Sequence, residues 1–480
     1  MASTGAVQGL HPAVAKLAAK LDQLAPRFAL GRGQVEILSE PRDFYNTLKT
    51  KILAAKRSVF LATLYIGKSE HEFIETLQTS LRQNPDLQVS ILTDALRGTR
   101  EQPGPCCASL LAALDAEFGD RVRIRMFHTP NLRGLKKSLV PRRLNEGWGL
   151  QHMKLYGFDD EIVLSGANLS QDYFSDRQDR YYVFKSAPLT AYYRRIHDAV
   201  CSLSYAVRAD AREAGFRLEW PAENPGPRPS KSARAFREAA AALLLPLVRP
   251  PLAAEPAEPA ETVVYPVSQF APLLPEGTST EAPAVGHLLD MLSADNRFEW
   301  MFTAGYFNMH PAYRTKLLAA TAPGTVVTAA PEANGFYKSA GISGALPPAY
   351  IVLAHRFLQD ASTARAAIQL REWQRGVVNT PGGWSYHAKG IWAGLPVAGG
   401  SLPFVATIGS SNFTRRSHTL DLESNAIILT ADPALRAAMA AEIKGLTAHT
   451  TEMTEADFHK PEREVGPGVR LALSILGGML

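Results

Sequence analysis

Two short patterns in the sequence pair an imidazole with an ammonium group. His152 and Lys154 lie in LQHMKLYGFDD, and His387 and Lys389 lie in YHAKGIWAG. Both stretches alternate as strands do, and residues two apart on a strand point to the same face. Each pair is followed by a turn of small residues ending in Asn, Asn168 and Asn412, and then by a carboxylate, Asp179 and Glu423. From Asn to carboxylate the offset is 11 residues in both copies, whereas from His to Asn it is 16 in the first and 25 in the second. An insertion around GLPVAGGSLP accounts for the longer offset, so the set reads as an internal duplication.

Two facing imidazoles can split a phosphodiester in two steps. One attacks phosphorus and forms a phosphohistidine. The other protonates the leaving group and then takes a proton from the acceptor. Two Lys and two Asn can hold the nonbridging oxygens through the five-coordinate transition state. A carboxylate behind each imidazole fixes its tautomer and raises its basicity. This chemistry asks for no metal and no cofactor. A lone His-x-Lys carries little information, but two copies with matched Asn and carboxylate carry a great deal.

The elements around these patterns alternate. Ser58–Ile66, Leu87–Leu96 and Arg121–Phe127 read as strands, with helices at His71–Arg82 and Ala108–Phe118 between them. The rhythm restarts after a break: strands at Phe298–Ala304, Thr325–Ala330, Ala367–Trp373, Ser385–Ala393, Pro403–Gly409 and Asn425–Thr430, and helices at Pro311–Ala320 and Pro433–Leu446. This is the pattern of an α/β fold. The break, residues 221–266, is rich in Pro, Ala and Glu and reads as a linker or insertion. The expected organisation is an N-terminal extension (1–35), a first domain (36–220), the linker, a second domain (267–450) and a C-terminal tail (451–480).

At 480 residues, 46% apolar and 20% charged, the chain is neither disordered nor polytopic. Its net charge of +5 permits an anionic partner without demanding one and argues against a long nucleic-acid groove. Three cysteines, Cys106, Cys107 and Cys201, form neither a disulfide framework nor a CxxC zinc pattern. No apolar run is long enough to span a bilayer. Two shorter ones, Ala239–Val248 and Leu471–Leu480, read as core helices or as segments lying on a membrane surface. Arg133, Lys136, Lys137, Arg142 and Arg143 cluster just before the first His-x-Lys, as a phosphate-facing loop would. No acid precedes Asp22 while Lys16 and Lys20 do, as in organelle transit peptides, though Ser and Arg are scarce.

The paired patterns resemble the HKD motifs of the phospholipase D superfamily, His-x-Lys-x4-Asp followed by Gly-Ser-x-Asn. The first copy keeps the motif Asp as Asp159 but reads Ser165-Gly166-Ala167-Asn168. The second has Gly409-Ser410-Ser411-Asn412, but Gly394 replaces the Asp. That Asp is a turn-forming position, so its loss costs little chemistry and leaves the halves unequal. Narrower segments are similar to the eukaryotic mitochondrial phosphatidylglycerophosphate synthases: DALRGTRE from Asp94, NEGWGLQHMKLYGFDD, SGANLSQDYFSDRQDRYY, TAGYFNMHPAYR from Thr303, PEANGFYKSAGISGALPPAY and GWSYHAKGIW. The likeness runs from about Arg42 to about Leu446, the linker excepted.

The resemblance implies two phospholipase D-like α/β domains, each a mixed sheet flanked by helices. A pseudo-twofold axis relates them, and the active site lies in the cleft between. It implies phosphatidyl transfer from CDP-diacylglycerol to glycerol 3-phosphate, releasing CMP, as the committed step towards phosphatidylglycerol and cardiolipin. A peripheral enzyme on an anionic membrane surface, the matrix side of the mitochondrial inner membrane, goes with it. His152 is expected as nucleophile and His387 as general acid and base, with Lys154, Lys389, Asn168, Asn412, Asp159, Asp179 and Glu423 completing the catalytic set. Candidate substrate ligands are Ser410, Arg177, Arg180, Tyr306, Asn308, His310, Arg142 and Arg143, with Arg97, Arg100 and Arg314 as further cations. The same motifs serve phosphatidylserine synthases, hydrolytic phospholipases and nucleic-acid phosphodiesterases, which stand as alternatives.

Overall fold

Two nine-stranded sheets carry the two His-x-Lys patterns, one each, in the computed structural model. It describes residues 9–102, 104–134, 137, 139–140, 144–211, 214–251, 260–398 and 400–476. Arg142 and Arg143 lie outside the described residues, as does Lys136.

The first sheet runs, in spatial order, Phe216–Glu219, Tyr205–Ala209, Val122–Phe127, Gln88–Asp94, Ser58–Ala62, Leu155–Phe158, Glu161–Ser165, Tyr181–Lys185 and Val35–Leu38. The second runs Thr450–Glu452, Ile368–Trp373, Gly324–Ala329, Glu299–Ala304, Lys389–Val397, Gly400–Gly409, Glu423–Thr430, Thr262–Gln269 and Phe28–Leu30. Started from Tyr205–Ala209 in the first sheet and from Thr450–Glu452 in the second, the two orders match strand for strand through eight positions. In each, three neighbouring strands pair in parallel and the rest antiparallel. The parallel strands are apolar runs such as SVFLA, because helices cover them. His71–Gln83, one of these helices, buries Phe73, Leu77 and Leu81 at four-residue spacing.

Three large apolar clusters follow among the described residues. One lies on the outer face of each sheet. The largest joins the halves, from Phe60, Leu155 and Tyr182 to Val264, Trp392 and Ile428, with the helices Ala187–Cys201 and Ala233–Val248 in it.

The segment 221–266, expected as a linker or insertion, contributes regular structure to the core. It holds the helix Ala233–Val248, whose Phe236, Ala240, Leu244 and Val248 are all buried, and the start of the strand Thr262–Gln269, buried at every position. That four-residue stripe is a core face, hidden in the sequence by surrounding Ala and Pro. Leu244 and Val248 are therefore committed to the interior rather than to a membrane. The N-terminal extension also belongs elsewhere than its sequence position implies. Its strand Phe28–Leu30 pairs with Thr262–Gln269, and Val14, Leu17 and Leu21 of the helix Pro12–Leu21 enter the outer cluster of the second sheet.

Candidate active site

The two histidines sit where the chain changes partner. His152 and Lys154 immediately precede the strand Leu155–Phe158, and His387 falls in the gap between Ser385–Tyr386 and Lys389–Val397. Neither lies on a regular strand ladder, as the alternation implied. The reason is a crossover between halves. Ser385–Tyr386 runs parallel to Arg177–Gln178 of the first half, and His387 N–H donates to Gln178 O at 2.8 Å. Reciprocally, Gln151 bridges to Leu422 of the second half, and His152 N–H donates to Leu422 O at 3.0 Å.

This crossover delivers each histidine to the other half's carboxylate. His152 Nδ1 lies 2.9 Å from Glu423 Oε1, and His387 Nδ1 lies 2.6 Å from Asp179 Oδ2. A neutral ring that donates Nδ1–H to its carboxylate carries its free lone pair on Nε2. Lys389 Nζ is 3.3 Å from Asp179 Oδ2 and 2.8 Å from His387 Nδ1. Lys154 Nζ donates to His152 O at 2.7 Å.

Burial sets the charge states. Burial first, and Lys389 second, pushes His387 down to about 3. Burial and then Lys154 hold His152 well below its ordinary value, so both rings rest neutral. Lys154 is pushed down to about 7, again by burial, and Lys389 is lowered for the same reason. The two carboxylates diverge. Burial raises Glu423 to about 7. Burial opposes ionisation of Asp179 too, but Lys389 and His387 outweigh it and hold the carboxyl below the usual range.

The Asn positions differ in a way the sequence did not reveal. Asn168 Nδ2 donates to Tyr173 OH at 3.1 Å, and that hydroxyl lies 3.3 Å from His387 Nε2. Five residues after Asn412 the second half has Ser417, whose Oγ instead accepts from Asn412 N–H at 3.3 Å. Among the described residues nothing hydrogen-bonds His152 Nε2. Among the described residues Asn412 Oδ1 is buried without a partner, an arrangement that favours a polar ligand there. Tyr173 was detectable in principle, five residues past the Asn in SGANLSQDYFSDR, but only against the unlike residue in the other copy.

Other positions had no sequence signal. Asp94 Oδ2 accepts from Gln151 N–H, and Asp421 Oδ1 from Leu150 N–H, each at 2.9 Å, so two buried carboxylates fix the backbone ahead of His152. Glu281, fully buried, is raised to about 8, by burial first and by the charge of Glu423 second.

Of the expected ligands, Arg177 and Tyr306 do reach the site. Arg177 Nε donates to Ser385 Oγ at 3.0 Å, and its guanidinium lies over the Tyr173 ring. The Tyr306 ring meets His387 edge-on at 5.3 Å, and Asn308, two residues on, donates its N–H to Tyr306 O. Three others have structural duties. Arg180, 1% exposed, spends its guanidinium on Glu442, Tyr182 OH and the carbonyls of Lys389 and Thr407, leaving no donor for a phosphate. Ser410 Oγ donates to Glu423, behind the histidine rather than in front of it. His310 caps the helix Pro311–Leu318, accepting from Ala312 N–H, and stacks on His418. Asp159, of the expected catalytic set, follows the strand Leu155–Phe158 at the end opposite His152. At φ 49° it accepts the N–H groups of Lys56, Arg57 and Ser58. At Gly394 a Cβ would come within 2.4 Å of Leu402 O, so the second hairpin has no room for such a turn residue. Arg97, Arg100 and Arg314 are paired with Glu101, Glu146 and Asp360.

Two matched mixed sheets, each bringing its His-x-Lys to the other half's carboxylate, define a phospholipase D-like enzyme. A solved phosphatidylserine synthase from Haemophilus influenzae matches the fold with a TM-score of 0.74, over 96% of each chain, at 20% identity. No protein-family model matches. Among curated proteins, the CDP-diacylglycerol–glycerol-3-phosphate 3-phosphatidyltransferase of Saccharomyces cerevisiae is 48% identical over 93% of this chain and 88% of its own. The Schizosaccharomyces pombe protein of that name is 38% identical over 92% and 94%, and the human mitochondrial one 33% identical over 94% and 84%. The chain belongs to the CDP-diacylglycerol–glycerol-3-phosphate 3-phosphatidyltransferase family.

Proposed function

We propose that this chain transfers a phosphatidyl group from CDP-diacylglycerol to glycerol 3-phosphate, releasing CMP and forming phosphatidylglycerophosphate. The observation that carries the mechanism is the reciprocal pairing of His152 with Glu423 and His387 with Asp179. His152 Nε2 attacks the phosphorus that bears the diacylglycerol. The bond to the CMP oxygen breaks, and a phosphatidyl-histidine forms. The glycerol 3-phosphate hydroxyl then attacks that phosphorus while His387 takes its proton, and His152 leaves.

The asymmetry of the site supports these roles. His152 Nε2 is unencumbered, whereas His387 Nε2 lies beside the Tyr173 hydroxyl. A neutral His387 held by an ionised Asp179 is suited to accepting a proton in the second step. In the first step CMP leaves as a phosphate, which needs little help from an acid. Lys154, Lys389, Asn168 and Asn412 contact the nonbridging oxygens, and Arg177 with Tyr306 lines the approach to His387.

The enzyme works as a peripheral protein at an anionic membrane surface, the matrix face of the mitochondrial inner membrane. Among the described residues no helix is long and apolar enough to cross a bilayer. The closing helix Pro467–Leu476 leaves Leu471 64% exposed, and animal relatives are named mitochondrial.

The test supplies CDP-diacylglycerol in mixed micelles with glycerol 3-phosphate, serine, glycerol or water alone as acceptor. CMP and the lipid product are followed. The expected result is phosphatidylglycerophosphate with glycerol 3-phosphate only, abolished in His152→Ala and His387→Ala. Phosphatidylserine, or phosphatidate from water, would assign another reaction to the same site.

A further inference from the structure

Far along the chain from both motifs, two helices face each other with matched spacings. The helix Leu346–Thr363 carries His355 and Gln359, four residues apart, and the short helix Glu455–Phe458 with its C-cap carries Glu455 and His459, also four apart. Residues at i and i+4 share a helix face. His355 Nε2 lies 2.7 Å from Glu455 Oε1, and His459 Nε2 lies 3.3 Å from the same oxygen. The three ligand atoms all fall within 4.8 Å of one another, and the Gln359 amide nitrogen lies 3.1 Å from His355 Nε2 and donates to Glu455 Oε1 at 3.1 Å.

We propose that His355, Glu455 and His459, with the fourth position left to solvent, bind a divalent transition metal of the Zn2+ class. The ion would pin the C-terminal segment to the helix Leu346–Thr363. Two imidazole nitrogens and a carboxylate are a donor set for zinc and its neighbours, not for the oxygen-seeking Mg2+ or Ca2+. Tetrahedral zinc at about 2.0–2.1 Å from its ligands places them roughly 3.3 Å apart. Two of the three separations are already at or below that value, so closure needs only a small movement of His459, which is 68% exposed at its side chain. The His355 ring is oriented in advance, stacked on Phe458 at 4.7 Å with the planes 4° apart.

The place fits a staple. Beyond Thr450 the chain is held at the edge of the second sheet by the strand Thr450–Glu452 and by an ion pair of Arg463 with Glu372. The helix that carries His355 also carries Tyr350, which stacks on Tyr306 against His387. A ligand there would hold the segment without entering the reaction. Nothing in the spacing of a single stretch betrays the set, because 100 residues separate His355 from Glu455.

The experiment uses the full chain, stripped with a chelator that is then removed. Zn2+ is titrated calorimetrically, with Mg2+ as control and Co2+ absorption as a probe of tetrahedral nitrogen and oxygen ligation. Proteolysis of the C-terminal segment is timed with and without Zn2+. The expected result is one saturable Zn2+ equivalent, weakened about tenfold or more in His459→Ala and in His355→Ala, with Zn2+ slowing cleavage in the wild type only. His459 is exposed enough that its variant folds even if the His355 one does not. Absence of saturable Zn2+ binding, equal binding of Mg2+, or an affinity unchanged in His459→Ala would overturn the proposal and leave an ordinary His–Glu ion pair.

Discussion

His152 and Glu423 are 271 residues apart in sequence and 2.9 Å apart in space, and His387 and Asp179 repeat the relationship across 208 residues. Each half of the chain supplies the histidine of one pair and the carboxylate of the other. Neither half holds a complete imidazole–carboxylate unit. Glu423→Gln keeps the shape and the hydrogen bond of Ser410 but removes the charge that stabilises a cationic His152. The expected loss in kcat is on the order of 10²- to 10⁴-fold with little change in Tm. A loss below threefold would mean that Glu423 only fills space.

Tyr173 separates the two histidines in role. Its hydroxyl joins Asn168 to His387 Nε2, and the equivalent position behind the other pair is Ser417. Tyr173→Phe removes one hydrogen bond at the proposed general base, with an expected cost of about five- to tenfold in turnover. A rapid-quench experiment should retain the first-turnover burst of CMP while slowing the steady state. A slowed burst would place Tyr173 in the first step instead.

Glu281 ties stability to pH. Its carboxyl is raised from 4.5 to about 8 in the fold, chiefly by burial. Between those values the folded chain keeps a proton that the unfolded chain has lost. Stability is therefore fully present below about 4.5 and falls as pH rises towards 8, with a slope of up to about 1.4 kcal/mol per pH unit from this group. Glu281→Gln cannot ionise, so the decline of Tm between pH 5 and 8 should flatten. An identical slope in the variant would show that Glu281 is ionised in the fold.

Arg180 is a structural residue in this arrangement. Arg180→Met strands the Glu442 carboxylate, 6% exposed, without its partner. Breaking a buried pair costs about 3–5 kcal/mol, which corresponds to a fall in Tm of about 3–5 °C for a chain of this length. The KM for CDP-diacylglycerol of the folded fraction should not change. A stable variant with a raised KM would restore Arg180 to the substrate site.

The residues that the structure brings together at the site were legible because duplication repeats residue types at fixed offsets. Asn168 to Asp179 and Asn412 to Glu423 span the same distance, and apolar runs such as SVFLA mark the central strands. What escaped depends on packing between distant segments. Arg180 looks like a phosphate ligand in DRQDRYY until Glu442, Lys389 and Thr407 close around it. The helix Ala233–Val248 was obscured by flanking Pro-rich sequence although Phe236, Ala240, Leu244 and Val248 keep strict four-residue spacing. The crossover that hands His152 to Glu423 rather than to Asp179 depends on pairing between the halves, which no single stretch encodes.

The central claim is a phosphatidyl group carried on one histidine. Enzyme mixed with CDP-diacylglycerol and no acceptor, quenched under alkaline conditions that preserve phosphohistidine, and digested for mass spectrometry tests it directly. The expected result is a phosphatidyl adduct on the peptide containing His152, absent in His152→Ala and accumulating in His387→Ala. An adduct on His387 would reverse the two roles, and stoichiometric CMP release with no adduct on either histidine would contradict the two-step mechanism.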